Sequence, residues 1–292
     1  LIIVFDFYWI IRTIYLTTLL LLANRQLAKQ RRRPWFRACQ KIPAWEQIYQ
    51  LVIFPVYKEG PDILRPSLEA LRHTHYALDR MIVVLAFEER HGPAREYGQI
   101  LAREYEKTFG DLLVMFHPDR LPGEKRLKGA NATWAAKRSK EYFQSRGVPL
   151  ERVIVSCFDA DTCVDREYFG CLTYHFATSP KPHQASYQPV PLYNNNIWYA
   201  PSFARIVEMS ASFFQLIESM RLEKFVTFSS HSMSFKTLVD IDYWPVDMVS
   251  DDSVVYWKAF LFYRGDYHVV PLYNTVSMDI AYGRTLWQTI LA

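Results

Sequence analysis

The chain is poor in cysteine and has almost no net charge, and each shortage excludes a class of protein. Its 292 residues include four cysteines, none of them in a Cys-x-x-Cys pair. The spacing therefore indicates neither a zinc site nor a disulfide framework, and reduced thiols in a cytosolic compartment fit best. The 34 basic and 30 acidic residues leave a net charge of only +4, which argues against a nucleic-acid-binding protein.

One long apolar run opens the chain. Residues 1–23 carry only two charges, Asp6 and Arg12. At about 1.5 Å per residue, a helix of this length can cross a hydrocarbon layer of ~30 Å. We therefore predict a transmembrane helix over residues 1–24. A buried core helix is the alternative, and a signal peptide is disfavoured because the charges follow the apolar run instead of preceding it.

A cluster of basic residues follows this run and sets the predicted orientation. Its members are Arg25, Lys29, Arg31, Arg32, Arg33 and Arg37. Lys and Arg beside a membrane span mark its cytoplasmic side. We expect residues 25–49 to form a basic juxtamembrane linker at the inner or plasma membrane, and residues 50–292 to form a domain on the cytoplasmic side.

From residue 50 onward, short β-rich runs alternate with amphipathic stretches. Strands are predicted at 51–56, 81–86, 112–116 and 153–158, with helices at 63–73, 94–109 and 128–146. This alternation predicts an α/β, Rossmann-like fold with a mostly parallel sheet and helices on both faces. Such sheets bind ligands at the carboxyl ends of their strands. The residues just after each strand are therefore the candidates for function.

Two carboxylates follow the fourth predicted strand, Asp159 and Asp161. Paired oxygen ligands of this kind suit Mg²⁺ or Mn²⁺, and the metal in turn can hold a diphosphate. An Asp-x-Asp triplet alone is also common in solvated turns. The other polar residues expected at the same edge fit a nucleoside diphosphate, because they combine a backbone loop, an acid, a cation and an amide. They are Pro55, Tyr57, Glu59, Glu88, Lys128 and Asn131.

A second acidic pair, Asp251 and Asp252, follows Ser250 and opens an apolar stretch. One interpretation is structural: Ser250 caps a helix whose dipole the two carboxylates favour. The other is that one Asp acts as a general base toward an acceptor hydroxyl. The aromatic residues Phe213, Phe214 and Phe225 are expected in the core.

The order of these motifs resembles the family 2 glycosyltransferases with a GT-A fold, among them the membrane-bound polysaccharide synthases. The resemblance covers roughly residues 50–265 and rests on the combination Phe-Pro-Val-Tyr-Lys-Glu, Lys-Gly-x-Asn, Asp-x-Asp and Ser-Asp-Asp. It implies an inverting transfer from a UDP- or GDP-sugar, dependent on Mg²⁺ or Mn²⁺, to a glycan or lipid-linked acceptor. It also implies a nucleotide-binding half over 50–162 and an acceptor-side half over 163–292.

The resemblance implies a role for each matching residue. Pro55, Tyr57 and Glu59 would line the nucleotide pocket, with Glu88 or its neighbour Glu89 near the base. Asp159 would contact the nucleotide or the metal, and Asp161 would be the principal metal ligand. Asp252 would be the general base, and Asp251 stands where the family usually has Glu.

One departure concerns a Gln-x-x-Arg-Trp motif that membrane-bound synthases carry and this chain lacks; Arg284 and Trp287 are not adjacent. The motif belongs on an amphipathic helix that begins near Thr285, so we expect the chain to be a fragment of a longer protein. Two alternatives stay open. One is a single-transfer enzyme that glycosylates a polyprenyl phosphate, and the other is a non-catalytic nucleotide-binding subunit of a membrane complex.

Overall fold

The computed structural model of the protein describes residues 1–283. The helix expected from Thr285 and the Arg284–Trp287 segment lie outside the described residues. The helices are α1 (Ile2–Gln30), α2 (Trp35–Cys39), α3 (Pro61–Arg72), α4 (Ala94–Glu104), α5 (Lys128–Ser145), α6 (Tyr168–Thr178), α7 (Ser202–Glu218), α8 (Phe235–Asp240) and α9 (Asp251–Phe262). The strands are β1 (Tyr49–Val56), β2 (Met81–Glu88), β3 (Asp111–His117), β4 (Val153–Cys157), β5 (Cys163–Val164), β6 (Ala185–Tyr193), β7 (Ser232–Ser234) and β8 (His268–Met278).

Four apolar strands form the parallel half of the sheet, in the order β3-β2-β1-β4. β1 pairs with β2 and β4 in parallel register, and β2 pairs with β3 in the same way. The four predicted strands and the helices between them are confirmed. The helix predicted over 94–109 is shorter than expected and ends at Glu104.

Side chains of β1 alternate between two cores, which explains why its run is continuously apolar. Val52 and Phe54 pack into the core with α3, α4 and α6 on one face of the sheet. Leu51 and Ile53 pack into the core with α5, α8 and α9 on the other. A strand that is covered on both faces needs apolar residues at every position. The predicted α/β fold with helices on both faces is therefore confirmed.

The second half of the sheet is not parallel throughout, so the sheet as a whole is mixed and the prediction of a mostly parallel sheet is not confirmed. Within residues 1–283 the order continues from β4 through β7, β6, β8 and β5. β7 runs antiparallel to β4 and β6, β5 runs antiparallel to β8, and only β6 and β8 pair in parallel. Sequence patterns did not reveal these strands because β7 has three residues and β6 contains Pro189 and Pro191. Proline removes a ladder donor and is unusual inside a strand.

Helix α1 stands out from the sheet for most of its length. It is the one helix in the described part of the chain that is long and apolar enough to span a membrane, and its most apolar window is not buried at all. Only its inner end packs on the domain, where Ala23 and Leu27 meet Val190 of β6 and Leu216 of α7. The helix continues to Gln30 and so includes the first residues of the predicted linker.

The expectation that three aromatic residues lie in the core is only partly right. Phe225 is buried in the core beside α9. Phe213 and Phe214 of α7 are instead about half exposed, at 49% and 58%. Their helix turns its other side, with Leu216, toward the sheet.

Candidate active site

A cleft of about 740 Å³ lies at the carboxyl ends of β1, β2 and β4. Parallel strands end at a common edge, so the residues that follow them are brought together although they are far apart in sequence. Eight of the predicted residues line this cleft: Pro55, Tyr57, Glu59, Glu88, Lys128, Asn131, Asp159 and Asp161. Asp251 and Asp252 do not line the cleft; Asp252 pairs with Lys128, and Asp251 packs against Gly129.

One end of the cleft carries an aromatic ring, an acid and a guanidinium. Glu88 ends β2 and accepts a hydrogen bond from Nε of Arg90. The Arg90 guanidinium lies 4.0 Å from the centre of the Tyr57 ring. Glu89, the residue after Glu88, does not line the cleft and pairs with Arg95 on α4. Of the two acids left open by the sequence, Glu88 is therefore the one on the cleft.

Two of the predicted residues fasten the backbone around the cleft. Glu59 Oε2 accepts hydrogen bonds from the backbone N–H groups of Tyr57 and Lys58, at 2.8 and 3.1 Å. The buried Asn131 donates from Nδ2 to the carbonyl oxygen of Ala86 at 2.6 Å and more weakly to that of Val56 at 3.4 Å. Since these bonds hold the turn after β1 and join the ends of β1 and β2, both residues shape the site.

The opposite end of the cleft is strongly charged. Nζ of Lys128 lies 2.8 Å from Oδ1 of Asp159 and 3.3 Å from Oδ2 of Asp252. Burial opposes the charged form of Lys128, but the two carboxylates outweigh it and raise its pKa. Burial likewise opposes ionisation of Asp159, yet Lys128 and a hydrogen bond from Ser229 lower its pKa. The pair is therefore ionised at neutral pH.

Among residues 1–283, no such cation lies beside Asp161. Its Oδ2 accepts a hydrogen bond of 2.9 Å from the backbone N–H of Asp279, whose own side chain also lines the cleft. Burial, helped by the charges of Asp159 and Asp279 and opposed by the Asp279 N–H, raises the pKa of Asp161 to about 6. The site therefore holds an excess of negative charge at the position predicted for a metal.

This excess fits a divalent cation that is completed by its substrate. No group of three or more His, Cys, Asp or Glu side chains is arranged to hold a metal among residues 1–283. Mg²⁺ and Mn²⁺ sites on nucleotides, however, commonly use one or two carboxylates and take their remaining ligands from phosphate oxygens and water. Asp161 and Asp159 can supply such a pair, and a cation there would offset the burial and the repulsion that raise the pKa of Asp161.

The second acidic pair sits at the first turn of α9, where it faces the start of α5. Asp251 is buried, and burial together with the charge of Asp252 raises its pKa. Ser250 precedes the helix, but its side chain makes no capping hydrogen bond, contrary to the capping interpretation. Gly129 lets the two helices approach: a Cβ there would lie 2.3 Å from the Pro245 carbonyl oxygen.

A single loop contacts one member of each aspartate pair, Asp159 and Asp252. Ser229 donates to Asp159, and the Thr227 hydroxyl donates to the backbone carbonyl of Asp252 at 2.5 Å. His231 is fully buried and its Nδ1 lies 3.5 Å from Asp252 Oδ1. Burial lowers the pKa of His231, so its ring is neutral. The segment 227–231 therefore links Asp159, which lines the cleft, to Asp252.

Among the other residues that line the cleft, Arg126, Tyr193 and Asp279 were not selected from the sequence. Tyr193 ends β6 and Asp279 follows β8, so both obey the same strand-end rule that located Asp159. They were missed because neither strand was recognised. Arg126 lies two residues before Lys128, and no pattern in the sequence distinguished it from the exposed arginines.

Many solved structures are similar to this one, among them two that hold a nucleotide sugar. The mannosyltransferase PcManGT from Pyrobaculum calidifontis, in complex with GDP-Man and Mn²⁺, aligns with a TM-score of 0.54 and 16% identity, over 91% of this chain and 69% of that one. Residues 1–349 of S. aureus TarS, in complex with UDP-GlcNAc, align with a TM-score of 0.51 and 12% identity, over 84% of this chain and 61% of that one.

The chain therefore shares the α/β fold of proteins whose structures hold nucleotide sugars. At 12–16% identity the likeness is one of fold. No protein-family model matches the sequence, and no curated protein matches it. The role of each residue must accordingly be argued from the cleft itself.

Proposed function

We propose that this chain is the catalytic domain of a membrane-bound family 2 glycosyltransferase with a GT-A fold. It moves a sugar from a UDP- or GDP-sugar to a glycan or lipid-linked acceptor, with inversion at the anomeric carbon. The observation that carries the proposal is the convergence of Asp159, Asp161 and Lys128 on one cleft at the strand ends. The fold, shared with a GDP-Man complex and a UDP-GlcNAc complex, supports the same class of donor.

The nucleotide half of the donor fits the end of the cleft near β1 and β2. The Tyr57 ring and the Arg90 guanidinium on it offer flat surfaces to a base, and Glu88 is an acceptor for base or ribose donors. Arg126 and Lys128 line the path from there toward Asp159. Cations along this path are suited to the charge of a diphosphate.

The proposed transfer is a single displacement with Asp252 as general base. Asp252 takes the proton of the acceptor hydroxyl while the hydroxyl oxygen attacks the anomeric carbon. The bond from that carbon to the diphosphate oxygen breaks, and its electron pair leaves with the diphosphate. Lys128 holds Asp252 beside Asp159 through its two ion pairs, which fixes the base relative to the donor. A bound Mg²⁺ or Mn²⁺ on Asp161 and Asp159 would supply charge stabilisation to the departing group.

The proposal also places the domain at a membrane. α1 would cross the inner or plasma membrane, and the basic residues that follow it would keep residues 50–292 on the cytoplasmic side. Within this domain, residues 50–162 would bind the nucleotide, and residues 163–292 would bind the acceptor and supply the base.

Calorimetric titration of the detergent-solubilised chain with UDP and with GDP, each with and without Mn²⁺, tests the donor site. We expect one nucleotide to bind, and to bind more tightly with Mn²⁺. The Asp161→Ala variant should lose the metal-dependent part of the affinity. Binding of neither nucleotide, or equal binding in EDTA, would contradict the proposal.

A further inference from the structure

Helix α7 carries an apolar stripe that faces away from the protein. Its members are Phe203, Ile206, Val207, Phe213 and Phe214, all exposed by 49% to 67%. Their spacing of three and four residues puts them on one side of the helix. The helix packs on the domain through Ala204 and Leu216, which lie outside the stripe and are buried. We call these five residues the α7 stripe.

Two exposed aromatic residues precede the stripe in the chain. Trp198 and Tyr199 lie just before α7 and are 85% and 82% exposed. Isolated apolar residues are normal on a protein surface, but a contiguous group of this size marks a contact with another apolar phase or molecule. Trp and Tyr are the residues that concentrate where water meets the acyl chains of a bilayer.

The stripe lies beside the helix proposed to cross the membrane. Leu216 and Met220, at the end of α7, pack with Leu20, Ala23 and Leu27 of α1. This is the part of α1 where the apolar run gives way to the basic cluster. If α1 crosses a bilayer, that transition falls at the level of the lipid headgroups. The end of α7 is therefore held at the same level.

We propose that the α7 stripe, together with Trp198 and Tyr199, inserts into the headgroup region of the lipid bilayer that α1 crosses. The domain would then contact the membrane at two places, through α1 and through the α7 stripe with its neighbouring aromatic residues. A bilayer is favoured over a protein occupant because the stripe adjoins the proposed span, and because Arg25, Lys29 and the other basic residues beside it suit anionic headgroups. The inference rests on the proposed membrane attachment.

The contact is connected to the cleft through a short loop. Tyr193 lines the cleft, and Trp198 follows five residues later. Between them, Asn195 donates from Nδ2 to the carbonyl oxygens of Asp161 and Ser277, at 2.9 and 3.3 Å. A surface that touches lipid is thus fixed to the segment that carries Asp161. An acceptor held in the membrane would reach the cleft from this side.

Spin labels on the full chain test the proposal in vesicles of phosphatidylethanolamine and phosphatidylglycerol. Single cysteines replace Ile206 and Phe213 in the stripe. Gln99, exposed on α4 at the other end of the sheet, provides the control. The unsubstituted chain is labelled in parallel to record the native thiols, three of which are buried.

Collision rates with oxygen, which concentrates in lipid, and with a water-soluble nickel chelate then report the surroundings of each label. We expect the collision rate with oxygen to exceed that with the nickel chelate several-fold at positions 206 and 213, and the reverse at position 99. Labels in the stripe that meet nickel freely would show a surface in water and overturn the proposal. Labels that meet neither quencher would show cover by protein, from another segment or a second copy, and would also overturn it.

The same sample separates this inference from the proposed function. A chain that fails to float with the vesicles contradicts membrane attachment, and with it the docking of α7. Nucleotide titration of the vesicle-bound chain reports the donor site independently of the labels. Lipid contact without nucleotide binding would leave the docking intact and reject the transferase.

Discussion

Lys128 at the start of α5 and Asp252 in the first turn of α9 form an ion pair that spans 124 residues of sequence, with 3.3 Å between Nζ and Oδ2. The same ammonium group lies 2.8 Å from Asp159. One cation therefore ties the proposed general base to the carboxylate on the cleft. Any change that separates α5 from α9 should disturb both.

Gly129→Ala should produce that separation. A Cβ at this position would lie 2.3 Å from the Pro245 carbonyl oxygen and 3.0 Å from Cβ of Asp251, so either α5 or the segment from Pro245 to the start of α9 must move. We expect a loss of about 1–3 kcal/mol in the free energy of unfolding in urea, as for other overpacked sites. Gly92→Ala is the control, since a Cβ there meets nothing within 4 Å. Equal stability of the two variants would show that the helices tolerate the methyl group.

Glu88→Gln should weaken binding of the nucleotide that the protein prefers. The carboxylate is on the cleft and is nearly buried, and a hydrogen bond to a charged group contributes about 1.5–3 kcal/mol. We therefore expect the dissociation constant to rise about tenfold or more, measured by calorimetry. Glu89→Gln is the matched control, because its carboxylate pairs with Arg95 away from the cleft. Equal effects of the two substitutions would contradict the assignment of Glu88.

The parallel half of the fold and most of the cleft could be predicted because both depend on local patterns. The continuous apolar run of β1 predicted a strand buried on both faces, and the strand-end rule then selected Asp159 and Glu88. The rest depends on tertiary context. Because β6 contains two prolines, it was not predicted as a strand and Tyr193 was not selected. Asp252 comes next to Lys128 only through the packing of α5 on α9.

The α7 stripe shows a second limit of sequence patterns. Apolar residues at helical spacing predict a face that avoids water, and Phe213 and Phe214 were accordingly assigned to the core. The pattern is correct, but it does not say whether the face meets protein or another apolar phase. The position of α1 and of Leu216 supplies that information, and it comes from the fold.

The stability of the metal-free protein should depend on pH through Asp161. Its pKa is about 6 in the folded chain, and about 3.9 is usual for an unfolded one. Between these values the folded state binds more protons than the unfolded state, so stability falls as pH rises from about 4 to about 6. We expect a loss of about 1–3 kcal/mol over this range in EDTA, allowing for partial exposure of the group.

Asp161→Asn is the comparison for this titration, because it removes the ionisable group and keeps the side-chain shape. Urea unfolding at pH 4, 5, 6 and 7 should show a smaller decline for the variant than for the unsubstituted chain. Added Mn²⁺ should reverse the trend only in the unsubstituted chain, since the cation binds the ionised carboxylate. Parallel curves for the two proteins would reject Asp161 as the group that titrates.

Asp252→Asn should separate donor binding from transfer. Asp252 does not line the cleft, and Lys128 keeps its ion pair with Asp159 when the Asp252 charge is removed. The affinity for nucleotide should therefore stay within a few-fold of the original value. Transfer should fall about 10²- to 10⁴-fold, because the amide cannot take the proton of the acceptor hydroxyl. Release of UDP or GDP from the donor sugar, with a membrane extract as acceptor, measures the rate. Asp240→Asn is the control: this Asp also pairs with a lysine, Lys236, but on the surface. Turnover of the Asp252 variant close to that of this control would remove Asp252 from the role of base.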